Sequence, residues 1–166
     1  MNKARTKEIL LHNGIPTAKF MLVENSNQLT AQNLQLSFPI IVKPSAEDAS
    51  VGIDNNSIVN TFDELKDRVD FIVKKFEEAA LIEEYIEGRE LNVAVIGNNP
   101  PLVLPISEID FSGLPEDYPK IVTYDAKWMD GTKEFEGTKG ICPAPLPEAV
   151  EREIKDVALR AYKLMG

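Results

Sequence analysis

The order of elements in this chain predicts an α+β fold, and three observations carry that prediction. Strands and helices do not alternate strictly, which argues against a doubly wound parallel sheet. Two strand-bearing segments each carry an amphipathic helix of their own, and no long linker separates them. A chain of 166 residues is long enough for one ordinary core, or for two small lobes that share a cleft.

Lys3 to His12 reads as a helix, stopped by Asn13-Gly14 and Pro16. Phe20 to Val23 and Pro39 to Lys43 read as short strands, with Ser26 to Leu36 between them as a helix of weak apolar spacing. Thr61 opens the clearest helix, because Thr61-x-x-Glu64 makes a capping box. Phe62, Leu65, Val69, Ile72, Val73 and Phe76 then fall on one face. Ala80 to Tyr85, Leu91 to Ile96 and Leu102 to Ile109 read as strands of a second lobe, the last two joined by a turn at Asn98-Asn99-Pro100. Gly113 to Gly140, rich in Gly, Pro, Asp and Lys, reads as loop. Pro147 stands where a final helix begins, with Val150, Ile154, Val157, Ala158, Ala161 and Met165 on its apolar face.

Composition excludes several classes of function. A net charge of −9 argues against nucleic acid as a partner, since phosphate neutralisation needs a basic face. The single Cys142 rules out an internal disulfide framework and fits a reducing compartment. The chain opens on no basic-then-apolar leader, and no apolar run approaches the roughly 18 residues that span a bilayer. The expectation is therefore a cytoplasmic protein with no membrane partner. His12 is the only histidine, so no Cys/His cluster has zinc spacing. Neither a G-x-x-x-x-G-K-[ST] loop nor a G-x-G-x-x-G fingerprint is present.

The chemistry concentrates at Pro39-Ile40-Ile41-Val42-Lys43-Pro44, followed by Ser50-Val51-Gly52. An apolar strand that ends in lysine delivers a compact charge with three rotatable donors, suited to phosphate. On these residues alone, a solvated strand-end lysine and an ordinary turn glycine at Gly52 remain open. Farther on, Leu81-Ile82-Glu83-Glu84-Tyr85-Ile86-Glu87-Gly88-Arg89-Glu90 is a strand run thick with carboxylates. Such a run also serves as a solvated edge that discourages sheet aggregation.

Taken together, several segments resemble the ATP-grasp family in its D-alanine–D-alanine ligase-like branch. They are Asn2-Lys3, Asn13-Gly14-Ile15-Pro16-Thr17, Val42-Lys43-Pro44, Ile82 to Glu90, Tyr124-Asp125-Ala126-Lys127-Trp128 and Cys142-Pro143-Ala144, in the family's order along nearly the whole chain. The resemblance implies two α+β lobes, residues 1–80 and 81–166, gripping ATP between them with a hinge near Glu83 to Ile86. It implies that Lys3 and Lys43 reach the phosphates; composition alone would make Lys3 a solvated terminal residue. Glu47 to Gly52 matches the family's flexible phosphate-covering loop, with Ser50 supplying a hydroxyl. Glu83 would accept from the exocyclic amine of adenine, the backbones of Glu84 and Ile86 would bracket the ring edge, and Glu90 would accept both ribose hydroxyls. Glu87 is left to solvent. Lys127 matches a lysine on a mobile loop near the phosphates, with Trp128 where the family has tyrosine, and a solvated loop lysine is the alternative.

The implied reaction is ATP-dependent joining of a small carboxylate to an amine through an acyl phosphate. A degenerate ATP-binding module with a regulatory role, and a ligase of a different acid and amine pair, are the alternatives. Asp48-Ala49 stands where the ligases usually have Gly-Ser, which bears on the chemistry rather than on ATP binding. The family's Arg-x-Asp and Glu-x-Asn strands, whose side chains hold Mg2+, have no match here, nor does a substrate lobe ahead of Lys3. The expectation is a middle portion of a longer ligase or a natural short form. Its Mg2+ ligands would lie outside the chain, it would be inactive alone, and its last helix would be open to homo-oligomer contacts.

Overall fold

The computed structural model describes residues 2–166. Asn2 caps helix α1 (Lys3–His12) by accepting from the Arg5 N–H at 3.0 Å, and Asn13 and Gly14 (φ +67°) end it. Strand β1 (Phe20–Val23) follows. The Ser26 to Leu36 stretch is not the expected helix: it holds a single 3₁₀ turn over Ser26–Gln28 and then irregular chain. The reason is local competition for backbone groups. Asn25 accepts from Asn27, while the Asn33 side chain accepts from Thr30 and donates to the Gln28 carbonyl. Leu29 and Leu36 still reach the core.

Strands β2 (Ile40–Pro44) and β3 (Ile58–Val59) precede helix α2 (Phe62–Phe76). Thr61 caps α2 by accepting from the Glu64 N–H, whereas the Glu64 carboxylate reaches one residue farther back, to the Asn60 N–H, at 2.7 Å. The face read from the sequence is the face that packs: Leu65, Val69 and Ile72 are fully buried, and Phe62, Val73 and Phe76 are partly so. Strand β4 (Ala80–Glu84) then inserts between β1 and β2, giving a four-stranded antiparallel sheet in the order β1-β4-β2-β3. The assignment of Ala80 to Tyr85 to a second lobe is thereby corrected. β4 is an interior strand of this sheet, paired with β1 and β2 rather than with the strands that follow it.

The period-2 alternation of β2 divides the sheet's two faces. Ile40 and Val42, with Ala80 and Ile82 of β4, pack into the core with α2. Ile41, Lys43, Leu81 and Glu83 occupy the opposite face.

Beyond Glu84 the expected long strands are each broken in two. β5 (Glu90–Asn92) and β6 (Val95–Ile96) replace the first; β7 (Leu102–Val103) and β8 (Ser107–Asp110) replace the second. Pro105 lacks an N–H and interrupts the ladder between β7 and β8. β5 and β8 join β9 (Lys139–Ile141) in a three-stranded sheet, and β6 and β7 form a separate ribbon. The expected loop from Gly113 to Gly140 contains two one-turn helices, α3 (Tyr124–Trp128) and α4 (Lys133–Gly137), capped by the hydroxyls of Thr123 and Thr132. Helix α5 (Glu148–Met165) starts after Pro147 as expected. It packs on β6 and β7 without burying any residue fully. Among the described residues, no helix is long and apolar enough to cross a membrane.

Candidate nucleotide cleft

A cleft of about 300 Å³ opens over the face of the first sheet that is turned away from α2. Ile41 and Lys43 of β2, Glu83 and Glu84 of β4, Ile86 and Glu90 line it, together with Lys120 and Ile121 from the opposite side. Five of the eight residues expected at the site, Lys43, Glu83, Glu84, Ile86 and Glu90, thus share one cavity. Strand periodicity puts Lys43 and Glu83 on one face, and the chain's exit from β4 carries Ile86 and Glu90 around its rim.

Glu83 is buried and sits between two lysines. One oxygen pairs with Lys43, the other with Lys7 of α1 at 2.6 Å. Burial alone would push this carboxyl up. The Lys43 charge, with hydrogen bonds from Lys43 and Lys7, outweighs that and holds it below the usual carboxylate range. Glu84 accepts from the Ser37 N–H at 3.3 Å, with Lys19 3.5 Å from the same oxygen. Ile86, 71% exposed, lines the cleft. Glu90 behaves oppositely to Glu83: burial raises its carboxyl, and the nearby charges of Lys127 and Lys43 only partly offset this. Glu87 is exposed, as expected.

Lys3, Ser50 and Lys127 do not line the cleft. The Lys3 ammonium donates to the carbonyls of Pro44, at 3.1 Å, and Glu47. Burial lowers its pKa and the Lys43 charge adds to that, while the carboxylates of Asp48, Glu78 and Glu47 work against it. Lys3 thus stands within electrostatic reach of Lys43, at the root of the loop that follows β2. The Ser50 hydroxyl donates to the Val122 carbonyl at 2.8 Å, and the Trp128 indole N–H donates to the Ala49 carbonyl at 2.9 Å. Both contacts hold the crest of that loop against the α3 segment. Lys127 is exposed on α3, where its charge acts on Glu90.

Sequence reasoning missed Lys7 and Lys120. Lys7 falls three residues after the buried Ala4 on α1, and nothing in a helix otherwise free of apolar patterning marks it as buried. Lys120 stands in an irregular stretch; its carbonyl accepts from the Tyr85 hydroxyl at 3.2 Å, which ties the far wall to the exit of β4. A wider groove of about 580 Å³ runs along α2 past Asp54, Asn60 and Arg68. Within it Arg68 is paired with Asp54, and the Glu64 carboxylate accepts from the Asn60 N–H. The cleft differs in bringing Lys43 and Lys120 together with Glu90, a carboxylate that burial raises and the Lys127 and Lys43 charges partly offset.

The profile of the D-ala D-ala ligase C-terminus family matches residues 9–166. The chain belongs to this family. Relatives bear this out: the D-alanine–D-alanine ligase of Hydrogenovibrio crunogenus is 34% identical over 167 residues, covering 100% of this chain and 47% of that protein. The Bacillus anthracis D-alanine–D-alanine ligase solved in complex with ATP aligns with a TM-score of 0.69 and 26% identity, covering 98% of this chain and 47% of its own. The VanG D-Ala:D-Ser ligase of Enterococcus faecalis aligns with a TM-score of 0.71 and 26% identity, covering 100% of this chain and 45% of its own. The chain therefore spans about half the length of the relatives it matches. The expected α+β architecture of the ATP-grasp kind is the one found.

Proposed function

We propose that this chain supplies the nucleotide-gripping part of an ATP-dependent carboxylate–amine ligase, with the two sheets acting as the two lobes and residues 85–89 as the hinge. The observation that carries the reading is the cleft in which Lys43, Glu83, Glu84, Ile86 and Glu90 converge within a D-ala D-ala ligase C-terminus fold. ATP would lie with adenine along the exit of β4, facing the backbone of Glu84 to Ile86. Its ribose hydroxyls would donate to Glu90, and its phosphates would run toward Lys43 beneath the loop 47–52. Lys3 and Lys127 would add positive potential from either side of the phosphates. Glu83, held ionised by Lys7 and Lys43, fixes the Lys43 ammonium at the phosphate end and keeps two acceptor oxygens near the adenine edge.

In such a reaction ATP activates a small carboxylate as an acyl phosphate, and an amine displaces the phosphate. The part assigned to this chain is to bind and orient the nucleotide and to exclude water from its terminal phosphate. Among the described residues, no group of three or more His, Cys, Asp or Glu side chains converges. The carboxylates that hold magnesium would lie outside this chain. A cytoplasmic setting follows from the use of ATP. The small acid and amine partners are assigned only by class.

The test is calorimetric titration of ATP into the parent and into Lys43→Ala. A charge-assisted contact to phosphate is worth about 1.5–3 kcal/mol, so the variant should bind at least roughly tenfold more weakly. A measurable parent affinity left unchanged by the substitution would remove Lys43 from the phosphate site.

A further inference from the structure

Helix α2 turns Leu65, Val69 and Ile72 into the core, yet Arg68 is buried with them, at 7% exposure. A guanidinium kept so far from water needs partners for its donors; both terminal nitrogens of Arg68 have them, while its buried Nε bonds to none of the described residues. Here every hydrogen-bonding partner lies in the stretch that leaves the loop 47–52. Nη2 donates to the Gly52 carbonyl at 2.9 Å and to the Ser57 hydroxyl at 2.8 Å, and Nη1 pairs with the Asp54 carboxylate at 3.0 Å. The guanidinium also lies 4.6 Å from the centroid of the Phe71 ring. Asp54 and Ser57 knit the same stretch internally: the Ser57 hydroxyl accepts from the Asp54 N–H, and the Asp54 carboxylate accepts from the Asn56 N–H.

Gly52 is confined from the other side. Its φ is +77°, and a Cβ there would lie 2.5 Å from Cγ of Pro44. The loop's entrance is held separately, by the Glu78 carboxylate, which accepts from the Ser45 hydroxyl at 3.1 Å and the Ala46 N–H at 2.8 Å. Its crest rests on Trp128 and Val122. The exit is also held from the far side, where the Tyr124 N–H donates to the Ile53 carbonyl at 2.9 Å and the Asn55 side chain donates to Glu134 at 2.8 Å; the Arg68 fork is the contact that ties this exit to α2.

We propose that Arg68 is the positioning residue of the loop 47–52. By fixing the loop's exit at Gly52, Asp54 and Ser57, it sets where Ser50 and the loop N–H groups stand relative to Lys43. The inference rests on the phosphate-covering role assigned to this loop above. Lysine could not reproduce it, because one ammonium lacks the planar fork that reaches three acceptors at once.

The molecule carries its own reporter. Trp128 is the sole tryptophan, and its indole is bonded to the loop crest, so its emission follows the loop without any ligand. The experiment compares the parent with Arg68→Met, which fills the same volume without donors, and with Asp54→Asn, which weakens the same contact from the loop side. ATP and adenosine are each titrated by calorimetry, and Trp128 emission and iodide quenching are recorded on the free proteins. The expected result is a folded variant whose ATP affinity falls roughly tenfold or more, since a misplaced phosphate contact is lost. Adenosine affinity should stay within about twofold, because it makes no phosphate contact. Trp128 should become more quenchable. A folded variant with parental ATP affinity and parental Trp128 emission overturns the proposal, as does equal weakening of ATP and adenosine. If Arg68→Met does not fold, Asp54→Asn decides by the same two outcomes. If the parent binds neither ATP nor adenosine, the reading of the cleft falls, and unchanged Trp128 quenching in the variants overturns the positioning role separately.

Discussion

Lys43 and Glu83 are diagonal neighbours across the β2–β4 ladder. Lys43 stands opposite Leu81 and Glu83 opposite Ile41, so both side chains rise from the face turned away from α2, where they pair. Lys7 reaches the same carboxylate from α1 and also donates to the Thr17 hydroxyl at 2.6 Å. One buried carboxylate thereby joins helix, interior strand and cleft.

Replacing Lys7 with Met should destabilise the protein by about 3 kcal/mol, the low end of the cost of removing one partner from a buried pair. Glu83 has its carboxyl held below the ordinary value of 4.5, so the stabilisation it gives is present above that value. It is lost as pH falls through the range beneath 4.5. Urea unfolding at neutral and acidic pH measures both effects, and the gap between parent and variant should narrow in acid. Equal stability at neutral pH would mean that Lys7 is a spectator.

Glu90 titrates the other way, its carboxyl raised first by burial. Its folded pKa lies above the unfolded one, so its contribution to stability is full below about 4.5 and declines as pH rises through the folded value. Glu90→Gln should therefore gain stability over the parent as pH increases. The same substitution should weaken ATP more than Glu87→Gln does, because Glu87 is exposed. If Glu90 holds the ribose in its ionised form, ATP affinity of the parent should also rise with pH through this range. Thermal melts across pH and ATP titrations of the two variants give the comparison, and equal losses from both would end the ribose assignment.

Ala49 and Ser50 both adopt left-handed backbone, at φ 54° and 63°, which costs non-glycine residues on the order of 1–3 kcal/mol each. The Trp128 and Val122 contacts hold them there. Trp128→Phe keeps a ring but removes the donor, so amide hydrogen exchange over residues 48–53 should accelerate while the four-stranded sheet stays protected. Unaltered exchange in the loop would show that the indole bond contributes nothing to its order.

The two long helices should differ sharply in their tolerance. Ile72→Ala on α2 empties a fully buried site and should cost about 2–5 kcal/mol. Ile154→Ala on α5, whose apolar face is partly exposed, should cost less than about 1.5 kcal/mol. Denaturant melts of the two variants side by side provide the check, and similar losses would mean that α5 is anchored far better than its burial indicates.

Legibility in the sequence followed the number of residues that spoke with one voice. Phe62 to Phe76 combined a cap, a period and six apolar positions, and the helix lies where they put it. Val42-Lys43 combined an apolar strand with one charge, and the strand's alternation alone turns Lys43 toward the cleft. Where polar side chains bind nearby backbone, as at Asn25 and Asn33, local hydrogen bonds defeated a weak helical pattern. β4 was given to the wrong sheet because an apolar run such as Ala80 to Ile82 names no partner strand; pairing is decided by tertiary packing. Arg68 and Lys7 escaped for a related reason. A buried charge announces itself only through partners, and those lie between 10 and 76 residues away.

The strand order β1-β4-β2-β3 has a consequence for the birth of the molecule. β1 and β2 do not pair with each other; each finds its neighbour in β4, which comes after both along the chain. During synthesis the β2–β3 hairpin and α2 can begin to assemble, but the sheet cannot close until Glu84 has left the ribosome. Until then Phe20–Val23 is an apolar strand without a ladder, dependent on the pace of translation and on chaperones for protection. Synonymous changes that stall the ribosome before Glu84 has emerged should therefore lower the yield of folded protein more than equal stalls placed after it has emerged.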